Sequence, residues 1–91
     1  MLCTDTECRL DGKISVETAA TLLNELEPRI ANQLLALDFS GVTQVDSSVL
    51  ALMLSCQREA AQHNYRLHFS GLSRNITTLA DLYGVDLFLQ A

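Results

Sequence analysis

The chain has 91 residues, of which 48% are apolar, and its eleven acidic and six basic residues give a formal net charge of −5. This length and apolar content predict a single globular domain over 1–91. The acidic balance argues against nucleic acid or an anionic membrane surface as a direct binding partner.

The N-terminal segment lacks the basic and apolar stretches of a secretory signal, so we expect a cytoplasmic protein. The chain has three cysteines, Cys3, Cys8 and Cys56. Because this number is odd and no export signal is present, disulfides are not expected. The pair Asp11-Gly12 is a turn signal, and the residues on either side of it predict a small strand or hairpin.

The first predicted helix begins at Val16, where apolar residues start to follow helical spacing. Ser15 is its candidate N-cap, and Pro28 should end or kink it. The nearly continuous apolar run 34–39 then predicts a central strand that is covered on both faces. A polar turn is expected directly after it, at 40–41.

Helices and strands alternate over the rest of the chain. The predicted elements are a helix from about Ser47 to Gln62, a strand from Arg66 to Ser70, a helix capped by Ser73 with Gly84 at its C′ position, and a last short strand or helical turn over Val85 to Leu89. This alternation predicts right-handed crossovers and a mostly parallel sheet.

The predicted functional surface is the edge of the sheet where the second and third helices begin. Asp46, Ser47 and Ser48 open the second helix, and Arg74 and Asn75 open the third. A helix N-terminus favours negative charge, which suits a phosphorylated serine or a partner contact, and Arg74 could meet an added phosphate. A plain helix cap, worth about 1 kcal/mol, fits the same residues.

The outward face of the second helix carries small side chains. Ser47, Ala51 and Ser55 line up at i, i+4 and i+8, with Leu50 and Leu54 as apolar flanks. Small residues let another helix approach closely, whereas a solvated face more often carries long polar side chains. The face is therefore a candidate docking surface, with a merely tolerant exposed face as the alternative.

Catalytic and metal-binding motifs are not recognisable in the sequence. It contains neither a phosphate-binding glycine loop nor a nucleophile elbow, so we expect no enzyme activity and no cofactor. A metal site built from Cys3, Cys8, His63 and His68 would have an unusual spacing, and none is expected.

Three motifs make the chain resemble the STAS domains, the family named for sulfate transporters and anti-sigma-factor antagonists. They are L-D-G-K-I-S at Leu10 to Ser15, L-A-L-D-F-S-G-V at Leu35 to Val42 and V-D-S-S at Val45 to Ser48. The resemblance covers nearly the whole chain. It implies an α/β fold, with a small mixed sheet and about three to four helices packed mainly on one side.

Within this family, the stretches Val49 to Leu54 and Ile76 to Val85 are most similar to the small STAS subunits of the Mla phospholipid-transport ABC complexes of Gram-negative bacteria. This implies a non-catalytic regulatory subunit that binds the ABC ATPase subunit and reaches the inner membrane only through it. The expected contacts are Asp46, Ser47, Ser48, Ala51, Leu54, Ser55, Arg74 and Asn75.

The alternative implied by the same resemblance is an anti-sigma-factor antagonist. In that branch a partner serine kinase would phosphorylate Ser47, which follows the motif aspartate directly. A nucleotide or small-molecule sensor is a third class, but no glycine-rich phosphate loop supports it.

Overall fold

A computed structural model describes residues 1–85 of the chain. It contains four strands and three helices. In chain order the elements are β1 (Leu2–Cys3), β2 (Glu7–Ile14), α1 (Val16–Ala31), β3 (Ala36–Val45), α2 (Ser48–Gln62), β4 (His68–Ser70) and α3 (Arg74–Leu82).

The strands form one mixed sheet in the order β1-β2-β3-β4. Strand β1 is antiparallel to β2, whereas β2, β3 and β4 run parallel to one another. Two successive right-handed crossovers that advance in the same direction along a sheet place their helices on the same face. Helices α1 and α2 therefore cover one face with their N-termini at the same edge, and the predicted α/β class with a mostly parallel sheet is confirmed.

Burial alternates along the two central strands. Cys8 and Leu10 in β2 are buried, as are Leu37 and Phe39 in β3, and the residues between them are partly or fully exposed. Leu35, inside the predicted apolar run, is 51% exposed. The expectation of a strand covered on both faces was thus wrong, because one face of β3, at Ala36, Asp38 and Ser40, is partly or fully exposed in the described part of the chain.

Both predicted glycine turns lie inside continuous strands. Gly12 belongs to β2 with φ +75°, and the paired positions Asp11↔Gly41 and Gly12↔Val42 lie in a stretch of irregular register. A Cβ on Gly41 would collide with the Asp11 carboxylate and lie 2.7 Å from the Leu10 carbonyl oxygen. The turns predicted at 11–12 and 40–41 are therefore absent, although the small strand predicted around Gly12 is present as part of β2. Gly41 serves the close pairing of two strands and not a reversal of the chain.

Helix α1 begins as predicted, but it continues past its proline. Ser15 is the N-cap in a capping box, and its N–H donates to Thr18 Oγ1 at 2.7 Å. Pro28 lies inside the helix, which ends only at Ala31, so of the two predicted alternatives, an end or a kink at Pro28, the end is wrong. A proline this near the C-terminus removes a single backbone hydrogen bond, and the last turn is retained.

Cys3 and Cys8 are joined by a disulfide, contrary to expectation. They are directly opposed in the β1–β2 pair, with their Cα atoms 4.1 Å apart. This antiparallel pairing brings the two sulfurs together, and a count of cysteines could not reveal it. Cys56 is a free, buried thiol, as expected of a core residue.

Buried polar contacts hold the segment between α2 and β4. The Gln57 side chain accepts a hydrogen bond from Leu67 N–H at 2.8 Å and donates to Leu67 O at 3.1 Å. The Tyr65 hydroxyl donates to Ile30 O at 2.8 Å. These contacts occupy the residues just before β4, which therefore begins at His68 and not at the predicted Arg66.

Helix α3 matches its predicted limits. Ser73 is the N-cap, and its Oγ accepts from Ile76 N–H at 3.3 Å. Gly84 follows the C-cap with φ +66°, the left-handed conformation of a C′ glycine. The last element predicted, over Val85 to Leu89, lies outside the described residues except for its first position.

Candidate functional site

The start of α2 is fixed by Asp46, at the carboxyl end of β3. Its N–H donates to Ile14 O at 3.3 Å, which ties it to the end of β2. Its Oδ1 accepts from Ser48 N–H at 2.9 Å and from the Ser48 hydroxyl. Asp46 therefore makes the capping contact expected of it, although the helix boundary places Ser47 at the N-cap position.

These hydrogen bonds also set the charge at the helix start. The Ser48 hydroxyl and then the Ser48 N–H lower the pKa of Asp46, with a further contribution from the positive charge of Lys13 and an opposing one from desolvation. The carboxylate is thus anionic at neutral pH, beside the positive end of the helix dipole.

Ser47 is left free by this arrangement. It is exposed, it has helical backbone angles, and within residues 1–85 its hydroxyl makes no hydrogen bond. The hydroxyl is therefore available to a modifying enzyme or to a partner.

An open groove of about 410 Å³ runs between α1 and α2 beside Ser47. We call it the α1–α2 groove. Helix α1 contributes Val16, Ala19, Ala20 and Leu23 to its lining. The α2 side contributes Ser47, Ser48, Ala51, Leu52 and Ser55, so the predicted small-residue face forms one wall.

The α1 wall was missed in the sequence. Val16 is 73% exposed, and Val16, Ala20 and Leu23 follow the i, i+4, i+7 spacing of a helix face. The sequence predicted helical spacing for the apolar residues of α1 without separating its faces, whereas in the structure Ala19, Leu26 and Ile30 form the buried stripe. A second stripe beside the first was the available signal.

Two other apolar residues of α2, Leu54 and Leu50, do not line the α1–α2 groove. Leu54 is half-buried and lines a different hollow with Gln57, Arg58 and Ala61. Leu50, predicted as an exposed flank, is 4% exposed and belongs to the core. That prediction was wrong because the buried face of α2 is wider than the predicted apolar stripe and includes Leu50.

Only one of the two predicted α3 residues shares a hollow with the α2 start. Asn75 lines a hollow of about 280 Å³ together with Asp46 and Lys13. Arg74 is exposed and lines neither this hollow nor the α1–α2 groove. Lys13, which the sequence did not single out, is therefore the cation placed beside Asp46.

Metal-ligand side chains do not converge in the described part of the chain, where no three histidine, cysteine or acidic residues lie close enough to hold an ion. Nor does any helix within 1–85 combine the length and apolarity that a membrane span requires.

Comparisons with known proteins agree with this architecture. The family model described as "Mlab, STAS domain" matches residues 4–90. The chain is similar in structure to the unphosphorylated form of the anti-sigma factor antagonist SpoIIAA, with a TM-score of 0.71 and 18% identity over 93% of this chain and 78% of the other. At that identity the likeness shows the fold alone. No curated protein matches significantly.

Proposed function

The chain belongs to the STAS domain family, and from this premise we propose that it is a non-catalytic regulatory subunit of an ABC-type phospholipid transport complex. In this proposal it binds the cytoplasmic ATPase subunit, and it is peripheral to the inner membrane through that subunit. The name of the matching family model supports the assignment to the Mla branch.

The observation that carries the proposal is an exposed apolar wall next to a free hydroxyl. Val16 is 73% exposed and Ala51 is exposed, and both line the α1–α2 groove with Ser47. A monomer gains nothing from leaving these apolar atoms in water, whereas a partner that covers them removes that cost. We place Ser47, Ser48, Ala51 and Ser55 at the centre of the contact.

We assign four further residues to the periphery of this contact: Asp46, Leu54, Asn75 and Arg74. Asp46 holds the helix start, and Asn75 lies beside it in the neighbouring hollow. Leu54 extends the contact along α2. Arg74 is proposed only as an outer contact, because it lines neither hollow next to Ser47.

The test is affinity purification of the tagged chain from its native cell, as wild type and as Ser47→Glu. We expect the wild type to recover an ABC ATPase with its permease. Ser47→Glu should weaken binding by about 100-fold, because it places a charge in a desolvated contact. The matched control is Thr21→Glu, which makes a similar change on an exposed part of α1 outside the groove.

Circular dichroism and thermal melting of both variants should match the wild type. If Ser47→Glu retains the companion while the fold is intact, the surface is misassigned.

An anti-sigma-factor antagonist is the second candidate. Its support is the unbonded, exposed Ser47 hydroxyl on a fold shared with SpoIIAA. A phosphate there would add roughly −1.5 to −2 charges to the groove wall, enough to disrupt a contact made with the neutral hydroxyl. Recovery of a serine kinase, with phosphate on Ser47 by mass spectrometry, would favour this candidate over the transporter subunit.

A further inference from the structure

The α1–α2 groove continues beyond Ser55 into a second hollow. This hollow measures about 290 Å³ and shares Leu23 and Ser55 with the groove. It extends towards the C-terminal halves of both helices and is lined there by Glu27 on α1 and Glu59 on α2. We call this second hollow the acidic end, after its two glutamates, and we call the two adjoining hollows together the channel.

The two carboxylates of the acidic end come from different helices and line the same hollow. The buried Cys56 thiol has a pKa raised to about 12, first by burial and then by the negative charges of Glu27 and Glu59. Both glutamates are half-buried. A cation placed between two carboxylates is attracted by both of them.

Two basic side chains of the chain itself, Arg58 and His63, lie near the two glutamates. The Arg58 guanidinium lines the acidic end, but it donates to Ser55 Oγ at 3.4 Å on its own helix. His63 Nε2 lies 3.7 Å from Glu59 Oε1 and makes an ion pair only when the imidazole is protonated. Within residues 1–85, Glu27 has no ion pair.

We propose that the channel binds a helical segment of the partner protein that has an apolar stripe and ends with a lysine or arginine between Glu27 and Glu59. The inference rests on the proposed function and names the chemistry that this surface recognises. From Val16 to Glu27 is eleven residues of α1, or roughly 16 Å at the helical rise. A partner helix would span that length in three turns, with apolar anchors at i, i+4 and i+7 and the basic residue near i+11.

Charge favours a different protein over a second copy of this chain as the occupant of the channel. The chain carries a net charge of −5, and the channel needs a cation at its acidic end. Charge complementarity therefore selects a partner with a basic segment over self-association.

The test uses the purified companion protein recovered with the wild-type chain. Its affinity is measured by titration calorimetry, at low salt and at high salt, for Glu27→Lys and Glu59→Lys. We expect each change to weaken binding by about 5- to 10-fold at low salt and to reduce its dependence on salt. The matched control is Glu25→Lys, on the same helix but lining a different hollow with Pro28, which should change affinity by less than about twofold.

Two further variants separate charge from folding. Glu27→Gln and Glu59→Gln keep the shape of the side chain and should each weaken binding by about two- to threefold. Wild-type affinity in both lysine variants, with intact melting curves, would overturn the inference. If Ser47→Glu abolished binding in that case, the proposed function would be kept and only the inference about the acidic end would be lost. If Ser47→Glu also bound normally, the assignment of the docking surface would be wrong as well.

Discussion

At the start of α3 the Ser73 hydroxyl accepts a hydrogen bond from Ile76 N–H, whereas at the start of α2 the Ser47 hydroxyl makes no bond within the described residues. Both serines are N-cap residues at the same edge of the sheet. The difference comes from Asp46, which caps α2 from one position earlier. A carboxylate that takes over the cap leaves a neighbouring hydroxyl free for partners or modification.

The routes into the two helices also differ. Strand β3 leads almost directly into α2, whereas the chain reaches α3 through Gly71 with φ +66°. A Cβ at Gly71 would lie 2.6 Å from the Ser40 backbone nitrogen. The α3 start is thus held by close packing of Gly71 against β3 as well as by the Ser73 cap, whereas the α2 start is capped by the Asp46 side chain.

The largest expected effect is therefore that of Gly71→Ala. Strain at positive φ and collision with Ser40 should lower the free energy of unfolding by about 2–3 kcal/mol, measured by urea denaturation. Gly12→Ala is the matched control, because its φ is +75° but nothing lies within 4 Å of an added Cβ. Equal losses at the two positions would mean that strain alone matters and that the contact with β3 does not hold the α3 start.

Asp46→Ala should follow, with a fall in Tm of about 5 °C at neutral pH from loss of the cap. The pKa of Asp46 is lowered in the folded chain, so its stabilisation is present above the ordinary aspartate pKa of about 3.9 and is lost as the pH falls through the lowered value. The difference in Tm between variant and wild type should therefore shrink in acid below about pH 4. Thermal melts across this range check it, and a constant difference would exclude a charge-dependent cap.

The smallest effects separate the two serines directly. Ser73→Ala should cost about 1 kcal/mol of unfolding free energy, because it removes a bonded N-cap. Ser47→Ala should change stability by less than about 0.5 kcal/mol, because no bond is lost. Chemical denaturation of the pair measures the contrast, which would disappear if Ser47 were itself the stabilising cap.

Much of this arrangement could be predicted from local sequence. The caps at Ser15 and Ser73 and the C′ glycine at 84 follow from short-range chemistry, and all three are in place. The alternation of helices and strands was sufficient to predict the parallel core of the sheet. These features depend on residues a few positions apart, which the sequence displays directly.

The wrong predictions concern contacts that depend on how strands pair and how elements pack. Gly41 looks like a turn residue until β2 lies beside it, and the Cys3–Cys8 bond depends on the pairing of β1 with β2. Only one wall of the candidate site could be predicted from the sequence, because the other wall depends on packing between helices. The α2 wall of the groove was visible as spacing within one helix, but its α1 wall, at Val16 and Ala20, depends on how two helices pack.

The condition of the three cysteines makes the chain a convenient scaffold for a spectroscopic reporter. Cys3 and Cys8 are consumed in their mutual bond, and Cys56 is buried with a thiol pKa of about 12. Thiol-directed dyes react with exposed thiolates, so none of the native cysteines competes for label under non-reducing conditions. A cysteine introduced at Ser47 would be the single labelling point, and its fluorescence would report occupancy of the groove in real time.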